Sequence, residues 1–313
     1  MTVTVASARD RDSAKVVTIW DGFQRFFGEH GVLFDYVLYT NYERQVEGHF
    51  AGEIDLAWNS PLAWIEAQRL APSAGKTARA IAMRDTDRDL TSVVLVRSDG
   101  AVRTVADLAG KKVAVGAGDS PQATILPLLH LAEQGLAPRR AGVGVRAGVG
   151  ETSKGPTFEY VLHDVLVGKH GDHVGGERDA VKALLRGEVD AACVLDANTI
   201  AFANDGTTPE GALRPLTSTA PFDHCNFTVL DDAAASSSPK AELIAKVGAL
   251  LLGMSYDDPA VRPLMDLEGL KQWKPGRTEG YAALARACDR FGTIDAWLAP
   301  MRDRVTRSNE GAR

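Results

Sequence analysis

The sequence predicts an α/β protein built from two similar lobes. Short runs rich in Val, Ile and Ala alternate with longer stretches whose apolar residues recur at helical spacing, the pattern of a chain folding strand, helix, strand. The hexapeptide GEIDLA at 52–57 returns as GEVDAA at 187–192, each time after a helical stretch and at the entry to a strand, which suggests two lobes of similar plan. A length of 313 residues is also too great for one small core and suits two.

Taken in order, Val3 and Val5 alternate with threonines in a first strand, and the charged run from Arg9 to Asp12 follows. Ser13 precedes an amphipathic helix that ends near Gly31. Its stripe of Val16, Ile19, Trp20, Phe23, Phe26 and Phe27 reads as core, with Trp20 as the member that could instead meet a ligand. A second strand, Phe34 to Tyr39, runs into Thr40, Asn41 and Tyr42, where Thr40 or Asn41 can cap a helix through Gly48. Ile54 to Ala57 is a short strand, after which Trp58, Asn59, Ser60 and Pro61 turn into another helix. Ala78 to Met83 and Leu90 to Arg97 read as further strands, separated by a polar turn at Arg84 to Asp87.

The stretch Thr104 to Pro127 is the pivot of the chain. Thr104 to Leu108 is helix-prone and stops at Gly110, Val113 to Val115 reads as a buried strand, and Gly116 and Gly118 open a tight turn. Asp119 or Ser120 can cap the next helix, Pro121 fits its first turn, and Ala123, Ile125, Leu126, Leu128 and Leu129 continue it. A helix that starts after a glycine turn at a strand's carboxyl end aims free N–H groups and its dipole at the same spot, a natural seat for an anion. An ordinary strand-turn-helix unit fits the same residues.

Further on, Arg139 to Pro156 lacks periodicity and reads as an exposed loop, Tyr160 to Val167 as a strand, and the glycine-rich segment to Gly176 as a loop holding Lys169, His170, Asp172 and His173. Glu177 starts a helix through Arg186, Ala191 to Leu195 is a strand, and a helix follows from Ala197. Leu213 to Thr217 leads back through APFDHCNFTVL, and Pro239 to Ala299 is helical by pattern with stops at Pro259 and Pro275.

The run made by Thr104, Asp107, Leu108, Gly110, Lys111, Val113, Val115 and Gly116 resembles the opening of the second lobe in proteins of the type 2 periplasmic-binding-protein fold. Within these it is most similar to the phosphonate-binding (PhnD-like) family of ABC-transporter receptors, and the resemblance covers nearly the whole chain. It implies two lobes, each a mixed sheet flanked by helices: residues 1–91 plus 226–313 as lobe 1, 92–225 as lobe 2, and hinge crossings near 90–95 and 220–227. The C-terminal helices would pack back on lobe 1. The ligand would lie in a cleft, contacted by loops at the carboxyl ends of strands in both lobes.

Those loops supply the candidate ligand contacts Arg9, Tyr39, Asn41, Tyr42, Trp58, Asn59, Ser60, Asp119, Ser120, Gln122, Thr124, His173, Glu177 and His224, with Trp58, Tyr42 or Trp20 covering an apolar part. The Ser-Thr-Ser-like turn of phosphonate receptors is matched by Ser120, Gln122 and Thr124, where Gln122 replaces a hydroxyl with an amide. The family's His-Asp-Ala helix opening appears as Glu177, Arg178, Asp179 and Ala180, without the histidine. His170, His173, His224 and Cys225 are the candidate metal ligands, with Asp172 and Asp223 beside them, but no HExxH or CxxC pairing favours a metal, and no cofactor is expected. Cys225 beside His224 could be nucleophile and base, although neighbours on a strand point to opposite faces.

Composition bounds the function. A net charge of −6 argues against nucleic-acid binding, and no apolar run is long enough for membrane insertion. The three cysteines, Cys193, Cys225 and Cys288, imply no disulfide framework. After Met1 the chain enters its first strand directly, so as it stands the sequence predicts a cytoplasmic protein, or a periplasmic or extracellular one if a leader has been removed. The expected function is a PhnD-like substrate-binding protein that closes on a small anionic or zwitterionic metabolite of phosphonate, phosphate or carboxylate type, partnered by an ABC permease. The alternative is a cytoplasmic enzyme of lyase or biosynthetic type on the same fold, similar to chorismate dehydratases and pyrimidine-precursor synthases and possibly metal-dependent. It would use His173, Glu177, Asp223 and His224 as acids or bases and Cys225 as nucleophile or ligand.

Overall fold

A computed structural model describes residues 2–6, 13–141, 155–164, 173–232 and 238–311. In chain order its strands are β1 (Thr2–Ala6), β2 (Asp35–Tyr39), β3 (Leu56–Asn59), β4 (Lys76–Arg84), β5 (Ser92–Arg97), β6 (Lys112–Val115), β7 (Ala137–Arg140), β8 (Thr157–Leu162), β9 (Ala191–Leu195), β10 (Leu213–Ser218), β11 (Asn226–Asp232) and β12 (Trp273–Pro275). The helices are α1 (Ser13–Glu29), α2 (Tyr42–Ala51), α3 (Pro61–Leu70), α4 (Leu126–Glu133), α5 (His173–Leu185), α6 (Asp196–Asn204), α7 (Pro239–Gly253), α8 (Arg262–Glu268), α9 (Ala282–Phe291) and α10 (Asp295–Gly311).

The chain divides into two compact units, unit 1 made of Met1–Asp89, Asp223–Ala282 and Ile294–Arg313, and unit 2 of Leu90–Phe222 and Ala283–Thr293. Ala283–Thr293 thus groups with unit 2, whereas the sequence reading kept all of the C-terminal stretch in lobe 1. Unit 1 holds a sheet of order β12-β4-β11-β3-β1-β2 and unit 2 a sheet of order β10-β5-β9-β6-β8-β7. In the first, β1 runs parallel to β2 and β3, while β11 is antiparallel to both β3 and β4. Strands β1 to β4 therefore end along one edge, where β11 begins. In the second, β6 runs parallel to β8 and β9, and β5 is antiparallel to β9 and β10, so β5 begins where β6, β8 and β9 end.

The repeated hexapeptides occupy matching places in these sheets. Strands β3 and β9 each lie between a parallel neighbour (β1, β6) and an antiparallel one (β11, β5). The glycine that opens each copy, Gly52 at φ 78° and Gly187 at φ 73°, ends the preceding helix in a left-handed conformation that only glycine enters without cost. Two residues on, Ile54 and Val189 are buried and anchor the turn before the strand starts.

Each sheet buries side chains against helices. In unit 1 the aromatic stripe of α1 packs on β3, β11 and β12: Trp20 is 3% exposed, with ring centroids 5.3 Å from Phe23 and 6.1 Å from Phe227. Trp20 is therefore a core residue and not a ligand contact, because its helical spacing puts it on the buried stripe with Phe23 and Phe27. In unit 2 the alternation of β6 sends Val113 and Val115 to a cluster with Leu128, Leu131 and Phe158, and Ala114 to another with Val181, Leu184 and Phe202. Two segments differ from the sequence reading. Arg139 and Arg140, expected to open a loop, complete the edge strand β7, and Trp273–Pro275, inside a stretch expected to be helical, is the edge strand β12. Both are very short and carry proline, which a sheet admits at its edges.

Candidate ligand-binding site

In unit 2 the residues expected to seat an anion are assembled at the carboxyl end of β6. Gly116 lies so close to the following helix that a methyl group there would stand 2.8 Å from the Ala123 side chain, and its N–H donates to Ala123 O at 3.2 Å. Ser120 is fully buried, and its hydroxyl accepts from Ala123 N at 3.2 Å as an N-cap. Residues Pro121–Ile125 then form one π-helical turn before α4, with Ser120 O accepting from both Thr124 N and Ile125 N. Such widened turns are uncommon and recur at functional sites.

Gln122 and Thr124 are 6% and 3% exposed. Gln122 Nε2 donates to Glu177 Oε1 at 3.4 Å, whereas Gln122 Oε1 and Thr124 Oγ1 are buried without a hydrogen-bond partner among the described residues. Glu177, buried in α5, accepts at its other oxygen from Leu195 N and Asn198 Nδ2, both at 2.8 Å. Because Glu177 takes the Gln122 amide N–H, the amide oxygen is the end left over. Asp119 is half-buried beside Ser120. His163, which follows β8 and donates its N–H to Val115 O, adds a third buried orphan atom at this edge, Nε2, and burial lowers its pKa. Sequence reading missed His163 because it lay inside a strand expected to run to Val167.

At the corresponding edge of unit 1 several candidates have other duties. Tyr39 OH donates to Glu53 at 2.8 Å, the Asn41 side chain accepts from Arg44 N as the cap of α2, and Ser60 caps α3. Asn59 is fully buried, accepting from Gln45 and donating to Thr228, and this chain of bonds continues through Asn226 to Tyr281 and the carbonyl of His224. Asp223 is held by two 2.6 Å bonds from Arg277 and a third from Asp89 N, so it is a structural anion and not a free acid or base.

Other candidates do come together. Trp58 packs on Phe227 and Trp273 with the Arg84 guanidinium 5.1 Å above its ring. Arg84 grips Asp87 at 2.5 and 3.0 Å and reaches Glu268. Asp87 Oδ1 lies 3.4 Å from His224 Nδ1, and Cys225 Sγ lies 3.2 Å from the same nitrogen. The two neighbours were expected on opposite faces. They meet because 223–225 is irregular backbone ahead of β11. Burial works against charge on both partners of His224 and Asp87, but the Cys225 sulfur and Asp87 lift the imidazole to about 10, and Arg84 with His224 holds Asp87 down at about 2. Tyr42 stands in the same electrostatic neighbourhood and its phenol is raised, chiefly by burial. Arg84 and Asp87 were passed over in the sequence because RDTD reads as a solvated turn. Arg9 and His170 lie outside the described residues, as does the side chain of His173, which opens α5.

A thiol-imidazole-carboxylate relay needs the acid on the imidazole nitrogen opposite the thiol. Here both share Nδ1, so the cluster is not built as a nucleophilic triad. Among the described residues no helix is long and apolar enough to cross a membrane.

The two sheets and their site edges define the class of the protein, the periplasmic-binding-protein fold. PhnD1 from Prochlorococcus marinus, in complex with methylphosphonate, superposes with a TM-score of 0.61 at 15% identity, covering 94% of this chain and 98% of that one. XAC2383 from Xanthomonas citri, bound to chloride, gives 0.62 at 15% identity over 97% and 99%. A periplasmic sulfonate-binding protein, SsuA from Methylobacillus flagellatus, gives 0.52 at 14% over 96% and 86%. The family of periplasmic phosphonate substrate-binding proteins of ABC transporters matches residues 5–281, and the chain belongs to that family. No curated protein matches it in sequence.

Proposed function

We propose that the chain is the ligand receptor of an ABC importer and that it holds a small anionic or zwitterionic metabolite at the helix start Ser120–Thr124, handing it to a permease. The periplasm is where the family works. The observation that carries this reading is the pair of buried, unpartnered atoms Gln122 Oε1 and Thr124 Oγ1 on one widened helical turn. Buried polar atoms are nearly always paired, and orphans at a helix start call for a polar ligand.

The pair also bears on ligand class. Thr124 can donate to an oxyanion, but Gln122 Oε1 only accepts, and Glu177 adds a buried carboxylate nearby. A doubly ionised head group is disfavoured beside that charge, while a singly ionised acid that keeps an O–H, or a zwitterion carrying an N–H donor, satisfies both atoms. Methylphosphonate, held by the similar PhnD1, and the sulfonates for which SsuA is named have the same tetrahedral oxyanion shape. No observation favours the catalytic alternative, since thiol and acid compete for one imidazole nitrogen at Cys225.

Calorimetric titration with methylphosphonate, an ω-aminoalkyl phosphonate, an alkanesulfonate and inorganic phosphate tests the reading. The aminoalkyl phosphonate should bind best. Thr124→Val should weaken it by about 1.5–3 kcal/mol, the worth of one hydrogen bond to a charged group. Failure of the whole panel to bind, or an unaltered affinity in Thr124→Val, rejects the site.

A further inference from the structure

We propose that Asp87, His224 and Cys225 form a binding site for a zinc-type divalent cation with one coordination position left open. Their ligand atoms all lie within 4.8 Å of one another, and among the described residues no other group of His, Cys, Asp and Glu does this. The two spacings to the imidazole nitrogen are close to what a tetrahedral centre requires. Zinc bonds of about 2.0–2.1 Å to nitrogen or oxygen and about 2.3 Å to sulfur put the ligand atoms roughly 3.3–3.6 Å apart, and the structure has 3.4 Å for nitrogen to oxygen and 3.2 Å for nitrogen to sulfur.

The direction of approach matters more than the distances. Sulfur and carboxylate converge on the same imidazole nitrogen, which has one lone pair or one proton to offer and cannot make a straight hydrogen bond to both. A cation placed on that lone pair would meet all three at once. Thiolate, imidazole and carboxylate together are also the donor set that suits a borderline-soft ion, and three protein ligands leave a fourth position for water or another oxygen donor.

The surroundings hold the ligands in place. Tyr281 OH donates to His224 O at 2.8 Å and His224 N donates to Asp87 O at 2.8 Å, so the backbone on which two ligands sit is tied on both sides. Arg84 orients Asp87, and a carboxylate oxygen has lone pairs enough to serve the guanidinium and a cation together. With the ion bound, its charge and that of Arg84 are matched by Asp87, Glu268 and the Cys225 thiolate. The His224 side chain is 24% exposed, which gives an ion a way in. This site is independent of the ligand reading above, and either can fail alone.

The full-length chain, freed of metal with a chelator, is titrated with Co²⁺ and then with Zn²⁺. One equivalent of Co²⁺ should produce a thiolate-to-metal charge-transfer band that Zn²⁺ bleaches. Cys225→Ala and His224→Ala should abolish it, Asp87→Asn, which removes a direct ligand, should weaken binding by more than the roughly 10- to 100-fold that loss of an outer-shell partner costs, and Cys193→Ala and Cys288→Ala should leave it intact. In the unmodified chain, Zn²⁺ should slow alkylation of Cys225, read by mass spectrometry, without requiring any variant to fold. Absence of saturable Co²⁺ binding, a band that survives Cys225→Ala, or alkylation indifferent to Zn²⁺ would overturn the proposal.

Discussion

At position 280 a methyl group would stand 2.1 Å from the Asp223 carboxyl carbon, and the Gly280 carbonyl already accepts from Asp223 N at 3.0 Å. Gly280→Ala must push aside a fully buried carboxylate, and overpacking of that kind costs about 1–3 kcal/mol. Gly28, in α1 with nothing within 4 Å, provides the contrast: Gly28→Ala should gain about 0.5–1 kcal/mol from helix propensity alone. Urea unfolding of the two variants should move in opposite directions. His224 carries a second expectation at this scale. With its pKa lifted to about 10, it binds its proton more tightly folded than unfolded. Its contribution is therefore complete below the ordinary imidazole value of about 6.5 and is lost as pH climbs through its folded value. Asp87, held at about 2, works the other way: its contribution is present above the ordinary carboxyl value and disappears as pH falls toward 2. Metal-free protein should lose unfolding free energy between neutral pH and about 10 more steeply than His224→Gln, and parallel curves for the two proteins would refute this account.

The widened turn at Pro121–Ile125 shows how an element can trade stability for function. Ser120→Ala removes an N-cap and should cost about 0.5–2 kcal/mol of stability whether or not ligand is present. Thr124→Val removes a buried hydroxyl that has no partner, so the ligand-free protein should become more stable by about 1 kcal/mol even as binding weakens. Thermal melts of both variants with and without ligand separate the two effects, and a destabilised ligand-free Thr124→Val would mean that the hydroxyl is already satisfied. The same turn marks how far the sequence could be read. The strand Val113–Val115, the cap at Ser120 and the stripe of α1 were legible because period and capping are local properties. The strands β7 and β12 were not, since APRR and WKP owe their extended form to a neighbouring strand and not to their own propensity. For the same reason Asn41 and Asn59 read as ligand contacts and Asp223 as a candidate acid or base. Polar residues at strand ends look alike in sequence, and only the position of Arg44, Thr228 and Arg277 shows that each is already taken.

At the scale of the whole chain, Arg277 is the residue whose loss should reach furthest. The chain leaves unit 1 after Asp89 and re-enters it at Asp223, and Arg277 bonds to both, at 2.7 Å to Asp89 and 2.6 Å to Asp223. Asp89 N adds a bond to Asp223 Oδ1 at 3.1 Å, and Asp89 itself sits at φ 54°, a left-handed conformation that costs a non-glycine residue about 1–2 kcal/mol and persists only where the surroundings enforce it. The Asp223 side chain is 0% exposed, so stripping away its guanidinium leaves an uncompensated buried charge. Arg277→Met should therefore cost about 3–5 kcal/mol, far more than a surface ion pair. Adding Asp223→Asn to that variant removes the stranded charge and should recover part of the loss, so that the double variant is more stable than the sum of the single changes requires. Denaturant unfolding of the four proteins measures this coupling directly. Strict additivity would mean that the two crossing points of the chain are fastened by something other than this clamp.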